Sequence, residues 1–445
     1  MPIIPLGISA YKREDGFVPE VECRNMYLEK DPTGLSPDGT MRIQRPGLVT
    51  MATLGGKVRG MAFNSKTGQR VTVAGTSLYL DNAVTATIPG IDNTPIVATA
   101  FAIAVLAEGT VYLYTDTLTT VLMPDNRTVT DIEQLNGYII LACDDGRFYW
   151  IEPGETTVDA LNFATAESSP DGLVAVRRLV DELWMFGTEI TEVWQSTGDA
   201  DAPFQRVSGR QYERGCLARD SVRRFDNSLL WMGDDGQVYR GGAVPQVISD
   251  SGIAERIRKR VAGSGLSAWV FGVDGHKFYV LRIPGQGTFA FDAATSAWCQ
   301  FASPGQDEWL AHVGYEVNAT VVAGSSVDGR VWSVTPAAIN DDGVAFERVL
   351  TGTIPIVGRP PRNDSLTIGV GASADTEVEL LWKDGQDDYP AYADALPVRA
   401  PLDFATMYRL GQPDQPYRTF KVTIRDNVRV RVAGMVANQA WGGGR

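Results

Sequence analysis

The sequence predicts an all-β chain: a β-propeller of six or seven blades, a C-terminal β-sandwich platform domain, and one short inserted helix. Three observations predict it. One phrase, an apolar run followed by a small turn, a glycine, two residues and an aromatic, recurs seven times at intervals of about 35 to 50 residues. Glycine is abundant, with 46 residues, and the ten Trp and fifteen Tyr are spread along the chain, which favours many short strands joined by tight turns. Beyond residue 345 the phrase stops and longer alternating stretches replace it.

Taken in order, residues 1–55 show too little periodicity for a core of their own. They are expected to pack on the platform or on a neighbour. Residues 56–345 hold the repeated phrase: "VTVAGTSLYL" (71–80), "VLAEGTVYLY" (105–114), "LACDDGRFYW" (141–150), "LWMFGTEITEVW" (183–194), "WMGDDGQVYR" (231–240), "VLRIPGQGTFAF" (280–291) and "VAGSSVDGRVWSV" (322–334). In each, alternating apolar residues such as Tyr138, Ile140 and Ala142 describe a half-buried strand. Asp-Asp-Gly supplies a turn, and a returning strand carries the aromatic inward. Such a meander cannot bury its own faces, but stacked copies can. Hairpins of one large sandwich would also produce several copies, and a unit shared in closing a ring leaves six or seven blades open.

"DSGIAERIRKRVAG" (250–263) predicts the helix. Asp250 or Ser251 is its N-cap, Ile253, Ile257 and Val261 share one face, and it stops at Gly263. Arg256, Arg258, Lys259 and Arg260 lie elsewhere around it. They read either as solvated charges that suit the C-terminal end of the helix dipole or as a docking element for an acidic partner. Residues 346–445 predict the sandwich. In "RTFKVTIRDNVRVRVAGMV" (418–436), Phe420, Val422, Ile424, Val428, Val430 and Val432 share one face, and Lys421, Arg425, Arg429 and Arg431 share the other. Asp426-Asn427 reads as a hairpin turn between the halves. The basic face and the acidic segment Asp384, Asp387 and Asp388 are candidate subunit interfaces of opposite sign, against the alternative of a solvated strand surface.

Chemistry narrows the function classes. The four cysteines, Cys23, Cys143, Cys216 and Cys299, form no C-x-x-C pair and fit buried free thiols. Only His276 and His312 are present, too few to favour metal enzymes or Ser–His and Cys–His hydrolases. Most aspartates sit in "DDG", "PDG" or "VDG" turns. No phosphate loop, G-x-S-x-G, H-E-x-x-H or sialidase-type Asp-box occurs; "ATAESSPDGL" (164–173) comes closest to the last. No catalytic, cofactor or metal residue is therefore assigned, and no enzyme activity is expected. The N-terminus has no signal-peptide pattern and no run is long enough to span a membrane. The net charge of −14 argues against a protein built to grip phosphates.

An ordered set of segments, "CRNMYLEK", "RPGLVT", "AESSPDGLVAVRRLVDELWMFGTEITEVWQSTG" and "GCLARDSVRRFDNSLLWMGDDGQVYRGGAVPQVIS" leading into the helix, resembles the tail-hub or nozzle protein of short-tailed bacteriophages, also called packaged-DNA-stabilisation protein. The likeness is strongest across about 165–262. The resemblance implies a structural protein of the virion tail, made in the host bacterial cytoplasm. It implies a homo-oligomeric six-fold ring below the portal–adaptor complex. That ring would extend the DNA channel, help retain packaged DNA and carry tail fibres, spikes or a needle. DNA would pass through without sequence-specific binding, and an acidic wall would keep it mobile. A polysaccharide-active or receptor-binding propeller is the alternative, and a propeller scaffold inside a cell is a third reading.

Overall fold

The computed structural model describes residues 2–12, 18–166, 171–199, 202–261, 265–356, 362–413 and 415–440. Among these residues, six four-stranded antiparallel sheets and the first four strands of a nine-stranded sheet make seven blades that follow one another along the chain. Blade 1 runs from Val58–Asn64 to Ala83–Thr87, blade 2 from Ile96–Ala98 to Leu118–Thr120, and blade 3 from Val129–Leu135 to Phe163–Thr165. Blade 4 runs from Leu173–Leu179 to Phe204–Tyr212, blade 5 from Arg223–Phe225 to Gln246–Val247, and blade 6 from Ser267–Val273 to Trp298–Phe301. Blade 7 takes Ala311–Val317, Thr320–Ser325 and Arg330–Thr335, and its fourth strand is Gly47–Thr53. The first strand of each blade touches that of the next, and blade 7 touches blade 1, so the ring closes on seven blades.

All seven copies of the sequence phrase fall on the same feature, the hairpin joining the second and third strands of a blade. Its parts have local causes. Asp145, Asp235 and Asp328 each accept the backbone N–H two residues on, from Arg147, Gln237 and Arg330, at 3.1–3.2 Å. Gly146 and Gly236 take φ of 85° and 76°, where a side chain would be strained.

Alternation then distributes the strand residues between two neighbours. Phe148 and Trp150 pack toward blade 4, whereas Tyr149 and Ile151 pack toward blade 2. The same holds at each joint, giving seven apolar clusters for seven joints. Trp184 and Trp231 meet between blades 4 and 5, both wholly buried with ring centroids 6.3 Å apart. Each such side chain removed from water contributes roughly 1.5–3 kcal/mol.

The sandwich grows from the edge of blade 6. Cys23–Arg24 lies parallel to Trp298–Phe301 and antiparallel to Arg348–Pro355, and the sheet continues through Tyr417–Ile424, Thr376–Asp384 and Asp394–Val398. The facing sheet runs in the order Met26–Lys30, Thr40–Gln44, Val430–Ala440, Arg362–Ala372, Leu402–Gly411, with Ile3–Ile4 also against Val430–Ala440. One apolar cluster spans blades 6 and 7 and the sandwich. Residues 1–55, read in the sequence as one packing segment, thus give strands to both sheets of the sandwich and to blade 7.

Two local expectations are corrected. Asp426-Asn427 is no hairpin turn, because the strands on either side of it belong to opposite sheets. Phe420 to Val432 do face one core, but from its two walls. The crossover is pinned by Arg348, which donates to the carbonyls of Asp426 and Val428 at 2.7–2.8 Å, and by the Asp426 carboxylate, which accepts from Thr376. The helix spans only Ser251–Arg258, capped by the Asp250 carboxylate on the Ile253 N–H at 2.8 Å. Ile253 and Ile257 are buried, but Val261 lies past the helix end and is 57 % exposed. Gly263 lies outside the described residues.

Candidate functional site: the hub and the charged faces

The innermost strands carry polar side chains that cross from blade to blade. Arg59 of blade 1 donates to the carbonyls of Asp92, Gly75 and Pro89 at 2.8–3.0 Å, holding the segment that leads into blade 2. Asp131 of blade 3, wholly buried, accepts from the Val176 N–H at 2.9 Å and pairs with Arg177, both of blade 4. Arg177 Nε reaches the Val222 carbonyl beside blade 5, and Arg223 Nε reaches Ala268 of blade 6 at 2.7 Å. Trp269 Nε1 donates to Ala311 of blade 7, and His312 Nε2 bonds the Val58 carbonyl of blade 1 at 2.8 Å. Buried bonds of this kind fix the angle between blades that apolar packing alone would let slide.

One residue spans the axis. Arg219, just before blade 5, donates to the carbonyls of Thr130, in the first strand of blade 3, and Asn93, beside blade 2, at 3.1 Å each. Its charge is taken by Asp220, 3.0 Å away. Burial works against both ions, but their mutual attraction and hydrogen bond win: Asp220 is held below the usual carboxylate range and Arg219 above its ordinary value. Asp131 goes the other way, since burial outweighs Arg177 and raises its pKa. Asn93 and Asp220, two partners of Arg219, belong to the wall of a cavity of about 260 Å³ lined by residues from all seven blades, among them Arg59, Ile132, Arg177, Arg223, Trp269 and Val313.

The residues singled out in the sequence lie elsewhere and do not converge. Lys421 stands on one sheet of the sandwich and Arg431 on the other, and Arg425 and Arg429 lie in the crossover between them. Lys421 Nζ is 3.6 Å from Glu22, and Arg425 pairs with Glu347 and Glu379. Arg429 is exposed and donates to the carbonyls of Pro336 and Ala337, and Arg431 is exposed. Asp384 forms a two-pronged pair with Arg418 inside the chain at 2.5 and 2.7 Å, while Asp387 and Asp388 are exposed. On the helix, Arg256 lies over the Phe289 ring at 4.7 Å, whereas Lys259 and Arg260 lie past its end, and Arg260 donates to the Ile257 carbonyl. Lys259 pairs with Glu255, and Arg258 is exposed.

The cysteines are free and buried, and burial pushes the thiols of Cys23, Cys143 and Cys216 up to about 12. Among the described residues no group of three or more His, Cys, Asp or Glu is placed to hold a metal ion, and no helix is long and apolar enough to cross a membrane. Sequence reasoning missed the hub set, Asp131, Arg177, Arg219 and Arg223. A buried-charge role for "RR" or "RD" beside a strand start has no local signature. It also read Asp171 only as a turn residue. Its carboxylate accepts the N–H groups of Thr188, Glu189 and Ile190 and so holds the blade 4 hairpin from the start of the first strand.

Comparison with known proteins gives one family, described as "Bacteriophage P22 Gp10, beta-propeller", which matches residues 3–338. No curated protein matches. Among solved structures, the chain is similar to the computationally designed Ika8 protein, at 15 % identity and a TM-score of 0.40, covering 75 % of this chain and 98 % of that one. It is also similar to the N-terminal domain of Nup159, at 8 % identity and a TM-score of 0.42, covering 71 % and 98 %.

Proposed function

The chain belongs to the family of the bacteriophage P22 Gp10 β-propeller, a structural family of phage proteins, and on that premise we propose that it is a tail-hub or nozzle subunit of the virion. Copies form a six-fold ring below the portal–adaptor complex, extend the DNA channel, help retain packaged DNA and carry fibres, spikes or a needle. The observation that supports this reading most is the narrow hub. A B-form duplex, whose major groove alone is about 12 Å wide, cannot enter a cavity of about 260 Å³ bridged by Arg219. DNA therefore passes between copies, along a wall formed by several chains, and the propeller serves as a rigid strut. A net charge of −14 suits a wall that repels the duplex and leaves it mobile.

Contacts between copies would be heterologous, two different patches meeting around the ring. The exposed Arg429 and Arg431 at one end of the sandwich and the exposed Asp387 and Asp388 are proposed as such patches, and exposed Arg258 on the helix as a contact for an acidic partner. Mixing the purified chain with its portal and adaptor ring and imaging by electron microscopy tests the proposal. The expected image shows six copies as a continuous ring below the adaptor. A bare adaptor, or single copies scattered on its outside, would overturn it.

A further inference from the structure

The two acids that line the hub cavity are already engaged. Asp220 is taken by Arg219, and Glu133 accepts the N–H groups of Gln134 and Arg178. Arg223 and Arg224, adjacent at the start of blade 5, both line the cavity. Arg223 donates only to carbonyls, from Nε to Ala268 and from Nη1 to Val222 at 2.8 Å, which leaves the Nη2 end of its fork. Arg224 is exposed beside it, so solvent reaches this wall. In a chain of net charge −14, the hub concentrates the opposite sign.

We propose that the hub cavity binds a small free oxyanion of the phosphate type, held by the open end of the Arg223 guanidinium and attracted by the adjacent charge of Arg224. Planar guanidinium forks match the oxygens of such an anion two at a time. The volume leaves room for the anion with bridging water but not for a polymer. The state of Arg223 agrees: burial, then repulsion from Arg177, pulls its pKa down to about 10, and a bound anion relieves that crowding. The proposal is independent of ring assembly, because the cavity is walled by one chain.

Titration calorimetry with inorganic phosphate tests it, alongside melting curves in phosphate and in sodium chloride at equal ionic strength. The full chain is expected to bind phosphate saturably and to melt higher in phosphate than in chloride. Arg224→Gln and Arg223→Lys are expected to weaken binding at least about ten-fold, the loss of one charge-assisted hydrogen bond. Arg258→Gln, on the outer helix, is expected to bind as the parent does. Arg224 is exposed, so its variant separates binding from folding. Equal melting in the two salts would overturn the proposal, as would unchanged phosphate affinity in Arg224→Gln. Displacement of phosphate by a DNA duplex would overturn its assignment to a free anion.

Discussion

His312 carries a proton balance that the fold depends on. Its Nε2 bonds the Val58 carbonyl across the joint between blades 7 and 1, its Nδ1 has no partner, and burial lowers its pKa to about 3. The unfolded chain takes up a proton near pH 6.5 that the folded chain refuses. This contribution to stability is therefore present above pH 6.5 and is lost as pH falls toward 3, at up to about 1.4 kcal/mol per pH unit. His276 has the opposite sign. Burial pulls its pKa down, but the hydrogen bond and charge of Asp292 hold it up, so its contribution is present below pH 6.5 and fades as pH rises through the raised value. Urea unfolding at pH 6.5 and pH 5 is expected to show a falling midpoint, and His312→Gln to remove up to about 2 kcal/mol of that difference. An equal drop in the variant would place the acid sensitivity elsewhere. At this scale the sequence was legible where a residue acts on its neighbours, as with the turn carboxylates of Asp145 and Asp235. It was not legible at Arg219, whose partners sit 89 and 126 positions away.

Among elements, the closing strand of blade 7 shows the same divide. The hairpin 322–334 announces itself locally, but its outer neighbour Gly47–Thr53 has a poorly alternating burial pattern and a partner about 280 residues on. Nothing within the strand says which edge it will join. Gly329 is where the two meet: a Cβ there would sit 1.9 Å from the Leu54 carbonyl oxygen, and the Leu54 N–H holds the Gly329 carbonyl at 2.7 Å. Its φ is not of the positive kind, so the glycine serves close approach and not turn geometry. Gly329→Ala is expected to cost about 1–3 kcal/mol in urea unfolding. A variant within 0.5 kcal/mol of the parent, the usual range of surface changes, would show that the closure is loose. The 418–436 segment teaches a related point. Two strands facing one core from opposite sheets carry the same alternation as a hairpin, so periodicity alone could not separate crossover from turn.

Over the whole molecule, propeller and sandwich share a sheet and a core. Nine strands run without interruption from Ser267–Val273 of blade 6 to Asp394–Val398 of the sandwich. Arg45 locks the corner: buried, it pairs with Asp341 through two bonds of 2.8 and 3.0 Å and donates to Asn25, Pro46 and Ala302. Change of pattern past residue 345 marked two architectures in the sequence but could not show that they are fused. Calorimetry is expected to record one cooperative transition, with van't Hoff and calorimetric enthalpies equal; two separated peaks would mean that the shared core does not couple the parts. The route by which blade 7 is completed bears on how the chain is made. Ribosomes release residues 47–53 early, and at about 5–20 residues per second the strands that receive them follow tens of seconds later. Throughout that interval the nascent toroid stays open, with a bare rim able to recruit a neighbouring polysome's product. Yield in the host then depends on translation speed and on chaperones that shield the gap, and not on the stability of the finished body alone.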